Sequence, residues 1–287
     1  MKICVCIPTF NRSHDLIVCL KSLMETSIKE SDIFIFDNNS NQEHVERIIE
    51  FTKQYRINFT SNKENVGLSG NLEKCLLVRG YEYIVIFEDH DVAEPKFISC
   101  LQSYAKKYPN AALIIPERKY INSGGEYLHS SIPRYVGEIN GDDFIRYELR
   151  NFTFPFPMCV MIKSKNIETY DLQRFNWYGD IYVWLCLALT GSIVFTNKHL
   201  YFSRAREKDH PLNLEYMKSI KEIDFLHRYF IKENKPRYDV LRAAFFTISK
   251  FKKIFLMESK MNTQERSLPL ILHYISRLTR WVWTKLT

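Results

Sequence analysis

The stretch Tyr83-Ile84-Val85-Ile86-Phe87-Glu88-Asp89-His90-Asp91 decides the fold. Tyr83 to Phe87 is an unbroken apolar run, β-branched or aromatic throughout, without polar alternation. Such a run suits a strand covered on both faces, as in a parallel sheet flanked by helices. It ends in three carboxylates and an imidazole within four residues. Two unit charges ~5 Å apart repel by roughly 3 kcal/mol at an effective dielectric of ~20, so the cluster needs a cation, full exposure or partly protonated members. Ligands of open α/β sheets bind at the carboxyl ends of strands, and hard divalent cations share oxygen ligands with substrate phosphates. The plainer alternative is a solvated acidic turn before the helix that Pro95 opens. The buried strand leading into the cluster favours the metal–phosphate site.

Working outward, strands alternate with helices on both sides of this run. Upstream lie strands at Ile3–Ile7, Ile33–Phe36 and Ile57–Thr60. Ser13 is placed to cap the first helix, which carries Leu16, Leu20, Leu23 and Met24 at helical spacing, and Ser40 with Glu43 forms a capping box for the second. The polar loop Asn65–Asn71 enters a third helix with Leu72, Cys75 and Leu76 inward. Downstream, a helix from Pro95 to Tyr108 precedes a strand at Ala111–Ile115, and signals are mixed from Pro116 to Tyr147. Pro155 and Pro157 confine the apolar run Phe152–Ile162 to an edge strand or a loop. A helix over Asp180–Leu189 stops at Gly191, with strands at Ile193–Phe195 and Leu200–Phe202, and beyond Asn213 the pattern is helical. The alternation implies βαβ crossovers and a mostly parallel sheet. The chain thus divides into an α/β domain, residues 1–214, and a basic amphipathic helical tail, residues 215–287.

With 46% apolar and 25% charged residues the composition is that of a folded protein. Seven cysteines lie in apolar runs without C-x-x-C spacing, which reads as reduced, buried thiols and not as a disulfide framework or zinc site. Met1-Lys2 leads straight into a strand, so no signal peptide is expected. No apolar run approaches the ~18 residues of a membrane span. The net charge of +7 is concentrated late: Met217–Thr287 holds 15 Lys and Arg against 6 Asp and Glu. These features place the protein in the cytoplasm.

Three strand ends converge on polar residues: Thr9 with Asn11, Asp37, and Glu88 to Asp91. In a parallel sheet they line one crevice. Asp37 reads either as an acceptor for a nucleotide base or ribose, or as an Asx turn closing its strand. The Asn65–Asn71 loop lacks G-x-G-x-x-G and the P-loop signature, which removes dinucleotide and P-loop readings. Asp180 reads either as a helix-capping acid favoured by the macrodipole or as a general base. Arg204 and Arg206 are placed to neutralise phosphate, against the alternative of a solvated charge run. His210 is a candidate metal ligand, against the plainer surface histidine.

With these residues quoted, the chain up to His210 resembles the family 2 glycosyltransferases of the GT-A fold, of the bacterial surface-polysaccharide type. "CIPTFNR" at Cys6–Arg12 is similar to the family's opening strand and turn, where Thr9 and Asn11 would border the nucleotide. "IFDNNS" at Ile35–Ser40 matches the second strand, whose acid, here Asp37, contacts the base. "NVGLSGN" is similar to the family's N-x-G-x-x-x-N loop beneath the nucleotide, which brings in Asn65, Gly67 and Asn71. "FEDHD" at Phe87–Asp91 stands in the D-x-D place, so Asp89 and Asp91 would hold the diphosphate and a Mg²⁺ or Mn²⁺. "YGDIYVWLCLALTG" at Tyr178–Gly191 is where the family carries an acid pair whose last member, here Asp180, is the catalytic base. Two departures stand out: His90 replaces an acid of the D-x-D run, and Gly179 the first acid of the later pair.

The resemblance implies inverting transfer from a nucleotide-sugar, most often a UDP-sugar, to a hydroxyl of a surface-glycan or lipid-linked acceptor. Two rivals remain. A sugar-nucleotide nucleotidyltransferase would carry a Gly-rich, basic loop straight after the first strand, which Pro8–Arg12 is not. A non-catalytic binder of the same fold is motivated by His90 and Gly179. In the tail, Leu241, Ala244, Phe245, Ile248, Phe251 and Phe255 share one helical face, and Leu268 to Leu286 carry a second apolar stripe with Trp281 and Trp283 near its end. Such stripes either lie on an anionic membrane surface or dock as ordinary core. Their aromatics sit on apolar faces and are not interleaved for base stacking, so nucleic acid is not an expected partner.

Overall fold

The computed structural model describes residues 1–132, 135–151, 158–172, 174–175 and 178–204, and of the C-terminal segment 222, 225, 226, 229 and 230. Three βα units and a fourth strand come first: β1 (Ile3–Thr9), α1 (Ser13–Met24), β2 (Ile33–Asp37), α2 (Gln42–Tyr55), β3 (Asn58–Ser61), α3 (Gly67–Leu76) and β4 (Tyr83–Ile86). A short β5 (Val92–Ala93) precedes α4 (Phe97–Lys107). The second half adds β6 (Ala111–Ile121), β7 (Tyr127–Ser130), β8 (Gly137–Ile139), α5 (Gly141–Asn151), β9 (Val160–Lys163), α6 (Gly179–Ala188) and β10 (Ser192–Arg204).

The strands form one sheet in the order β3-β2-β1-β4-β9-β6-β10-β5, with β7 on β6 and β8 on β10. β1, β2, β3 and β4 are mutually parallel, as are β6 and β10. β9 runs antiparallel between β4 and β6, which keeps those two in the same sense. The sheet is therefore mostly parallel, and the ends Thr9, Asp37, Ser61, Ile86 and Arg204 lie along one edge.

Side chains alternate across this sheet with the period of two that a strand dictates. Cys4, Cys6, Ile84 and Ile86 join one buried cluster with Leu72 of α3, Phe144 of α5 and Trp184 of α6. Val5, Ile7, Val85 and Phe87 join the other, with Leu16 of α1, Ile48 of α2 and Phe97 of α4. Helices thus cover both faces, and the apolar run at Tyr83 is buried on both sides, as its sequence predicts. All seven cysteines are free thiols. No helix among the described residues is long and apolar enough to cross a membrane.

Several expectations change. The prolines of Phe152–Ile162 predict an edge strand or a loop, yet the last residues of the run form the central strand β9; residues 152–157, which hold both prolines, lie outside the described residues. β6 continues through Pro116, and the two strands expected near Ile193 and Leu200 are one strand, β10. One irregularity explains both: between Phe195↔Ile115 and His199↔Glu117 the register slips, so β10 bulges where Pro116 has no N–H to give. Ser13 is the first helical residue and not the cap; its hydroxyl meets His44 Nδ1 at 2.9 Å. Ser40 forms no capping box, because Asn41 is the residue preceding α2 and the Ser40 hydroxyl accepts from Asn11 N–H at 2.7 Å.

The described residues 222, 225, 226, 229 and 230 are helical and recur at the spacing of a single helix face. Leu226 is fully buried in the cluster of α6, with Phe225 and Phe230 packed against it. The start of the expected tail therefore packs on the α/β domain. The stripes at 241–255 and 268–286 lie outside the described residues.

Candidate active site

The acidic turn is set by the aromatic residue before it. Phe87, fully buried, packs edge-on to Phe97 at 5.1 Å and to Tyr201 at 5.8 Å between centroids. Such pairs contribute about 0.5–1.5 kcal/mol each beyond area burial and fix where the backbone leaves the sheet. Glu88 to Asp91 then fall at the carboxyl edge.

The four polar residues have different partners. Asp89 turns inward: Thr9 Oγ1 donates to its Oδ2 at 2.8 Å, and Arg12 and His90 Nδ1 reach its Oδ1 at 3.1 Å each. Burial pushes this carboxyl up, but the bond from His90, the Arg12 guanidinium and the Thr9 hydroxyl outweigh it and hold it below the usual range. His90 sits among the acids, with Nε2 3.1 Å from Glu88 and 3.8 Å from Asp91. Burial lowers its basicity, yet the bonds to Asp89 and Glu88 and the charges of Glu88 and Asp91 prevail and raise it to about 9. Asp91 is pushed up to about 7 by burial and by Glu88, against His90 and the Arg204 N–H, which reaches its Oδ1 at 3.2 Å.

One oxygen of Glu88, one nitrogen of His90 and one oxygen of Asp91 lie within 4.8 Å of one another. Two carboxylates and an imidazole suit Mn²⁺ and accept Mg²⁺ less readily. A cation held by Glu88 and the buried Asp91 would offset their like charge, so these residues fit a divalent metal. Of the sequence-expected ligands, Asp91 belongs to this group, Asp89 gives its oxygens to protein donors, and His210 lies outside the described residues.

Asp37 closes β2 nearby. Ser61 Oγ donates to its Oδ2 at 2.7 Å and Ser40 N–H at 3.1 Å, while Oδ1 is buried without a partner. A buried carboxylate oxygen without a donor is costly, so this one calls for a ligand N–H or O–H. Asn11, at φ 54°, accepts from Asn41 N–H at 2.8 Å and ties the first loop to the second. Beneath them the asparagines brace one another. Asn38 Nδ2 donates to Asn65 Oδ1 at 2.8 Å and to Gly67 O at 3.1 Å, and Asn71 Nδ2 donates to Phe36 O at 2.8 Å. Gly67 has φ 77°, the left-handed region that favours glycine. Asn65, Gly67 and Asn71 thus tie the loop that enters α3 to the end of β2.

Asp180 opens α6 and is partly buried, its Oδ1 accepting from Ile181 N–H at 2.8 Å. Burial and the charges of Glu88 and Glu222 raise its carboxyl to about 7, against backbone bonds that lower it. Gly179, where the resemblance leads one to expect an acid, packs against α3: a Cβ there would lie 2.4 Å from Ser69 Oγ. Close helix packing therefore excludes a side chain at that position.

Arg204 ends β10 and braces loops. Its guanidinium donates to Ser123 O at 2.7 Å, Asn122 O at 3.4 Å and His90 O at 3.3 Å. It steadies the acidic turn while lending it positive charge. Arg206 lies outside the described residues. Arg12, Asn38, Ser61, Glu88, His90 and Glu222 also shape the site, although the sequence did not single them out as ligands. Only Glu88 and His90 carried a signal, as members of the acidic run.

A three-layer sheet with an acidic turn after its fourth strand and an acid on a later helix defines the GT-A class of glycosyltransferases. The sequence model of Glycosyl transferase family 2 matches residues 4–170, and the chain belongs to that family. The bifunctional glycosyltransferase pgtA of Dictyostelium discoideum is 29% identical over 87 residues, 29% of this chain and 11% of that protein. Among solved structures, S. aureus TarS 1–349 in complex with UDP-GlcNAc has a TM-score of 0.61 at 14% identity, covering 79% of this chain and 66% of that one. The same TarS fragment in complex with UDP gives 0.59 at 13% identity, covering 79% and 65%. The likeness to TarS establishes the fold. This chain spans about two thirds of the TarS fragment and a small part of pgtA.

Proposed function

We propose that the protein transfers a sugar, with inversion, from a UDP-sugar to a hydroxyl of a surface-glycan or lipid-linked acceptor, using a divalent cation. The observation that carries this reading is the Glu88–His90–Asp91 group at the carboxyl edge of the sheet, where Asp37 closes the neighbouring β2 with its Oδ1 unpartnered. Asp37 Oδ1 is an acceptor suited to an N–H of a uracil base, and the TarS complexes with UDP and UDP-GlcNAc support that choice. Glu88, His90 and Asp91 would hold Mn²⁺ or Mg²⁺, which when bound offsets charge on the diphosphate. Asp180, poised near neutral pH, takes the acceptor's proton as the hydroxyl attacks the anomeric carbon. Arg204 keeps the acidic turn in place, and Asn65, Gly67 and Asn71 keep the loop entering α3 in place.

The reading extends to place and partner: a cytoplasmic enzyme held at the inner face of the membrane by its basic tail, where lipid-linked acceptors are found. A panel of nucleotide-sugars scanned for release of the nucleotide diphosphate, with and without Mn²⁺, tests the chemistry. Mn²⁺-dependent release of UDP supports it. Binding of UDP-sugars without release or transfer marks a non-catalytic binder instead.

A further inference from the structure

We infer that Glu222, on the C-terminal segment, is a positioning residue that holds the Asp180 helix in place. Glu222 is only 6% exposed, and its Oε2 accepts from Tyr178 N–H at 2.9 Å. Tyr178 is the residue preceding α6, and its own side chain makes no capping hydrogen bond. A carboxylate at the start of a helix satisfies N–H groups the helix itself leaves unpaired and meets the positive end of the macrodipole. Here that carboxylate arrives from 44 residues downstream and fixes the backbone two residues before Asp180.

The segment that carries Glu222 is anchored independently. Leu226 is fully buried, and the Phe225 ring lies 5.6 Å from Phe175 and 6.2 Å from Tyr182. Tyr229 and Phe230 approach the same Tyr182 ring at 5.7 and 6.1 Å. Tyr182 is on the first turns of α6, so the aromatic latch and Glu222 grip one short helix from the same side. α6 also meets α3, with Gly179 against Ser69. The role of Glu222 rests on the proposed base function of Asp180, and the experiment separates the two.

Steady-state UDP release from the UDP-sugar that turns over, UDP-GlcNAc being tried first, is compared for the full chain and four variants in Mn²⁺. Glu222→Ala is expected to lower kcat by about tenfold or more with donor KM within about twofold, since the base is displaced while the donor pocket stands. Glu222→Gln keeps an acceptor oxygen for Tyr178 N–H and should restore most of kcat. Unchanged kcat in Glu222→Ala, or a parallel loss of kcat and donor affinity, overturns the inference. If Glu222→Ala fails to fold, Glu222→Asp, one methylene shorter, decides by the same kcat-against-KM criterion. Asp180→Asn is the control: its near-wild-type turnover defeats the base assignment, whereas a dead Asp180→Asn beside a fully active Glu222→Ala defeats only the role of Glu222.

Discussion

Thr9 and Asp89, 80 residues apart, meet in a 2.8 Å hydrogen bond that joins the carboxyl ends of β1 and β4. Arg12 completes the joint from the loop after β1, 3.1 Å from the other Asp89 oxygen. Both oxygens of Asp89 accept from protein donors, so this acid braces the joint between the two strands. Asp91 instead groups with Glu88 and His90, its Oδ1 accepting from Arg204 N–H.

Asp89→Asn should therefore act chiefly on stability. Leaving buried donors mismatched costs about 1–3 kcal/mol. The folded pKa of Asp89 is depressed, so its contribution is complete above the ordinary carboxylate range and is lost as pH falls through the folded value. Urea midpoints at pH 7 should differ clearly between wild type and variant, and the gap should narrow on acidification. Equal midpoints at pH 7 would show that the joint holds nothing.

Asp91→Ala has the opposite signature. Asp91 is raised to about 7 by burial and by Glu88, so its ionised form burdens the fold and its removal should leave stability intact or improved at pH 8. Metal-dependent donor binding should vanish. Calorimetry with UDP-GlcNAc and Mn²⁺ measures it, and undiminished affinity would remove Asp91 from the ligand set.

For Asp180→Asn, loss of a general base predicts a drop in transfer of roughly 10²–10⁴-fold with donor affinity nearly intact. Since the Asp180 pKa is raised to about 7, wild-type kcat should climb as pH rises through that value. The raised pKa also means the folded state is less favoured once Asp180 ionises, so the Asn variant should melt higher than wild type at pH 8 and no higher at pH 5. If Asp180 is only a cap, Asn caps about as well and activity barely moves.

Much of this site was legible because short-range chemistry dictated it. The Tyr83–Phe87 run announced a strand buried on both faces, and Asp37 and the acidic cluster were found by their places at strand ends. What the sequence hid was tertiary. The division of labour between Asp89 and Asp91 depends on Thr9 and Arg12, which approach across 80 and 77 residues. Gly179 looked like a missing acid until α3 was seen to press Ser69 against it. The expected strand stopped at Ile115, short of Pro116, because the bulge that accommodates the proline, in β10, lies about eighty residues away in sequence. Glu222 gave no signal, since a lone glutamate in a helical stretch ordinarily faces solvent.

The last prediction concerns residues 240–287, which we propose hold the enzyme at an anionic membrane surface without spanning it. The observations are two apolar helical stripes, the Trp281 and Trp283 pair, and the excess of positive charge from Met217 onward. Each basic residue near such a surface contributes on the order of 1 kcal/mol, and the attraction fades within a Debye length. Vesicle binding should need anionic lipid, weaken with salt and disappear on deletion of 240–287. The cut falls beyond Phe230, so the latch of Phe225, Leu226, Tyr229 and Phe230 on α6 stays in the shortened chain. Donor binding should therefore survive the deletion. A tail that docks as core predicts the reverse: no vesicle binding by the full chain, and a shortened chain that aggregates or loses its donor. Sedimentation of both proteins with anionic and with neutral vesicles, followed by calorimetry with UDP-GlcNAc, separates the two outcomes.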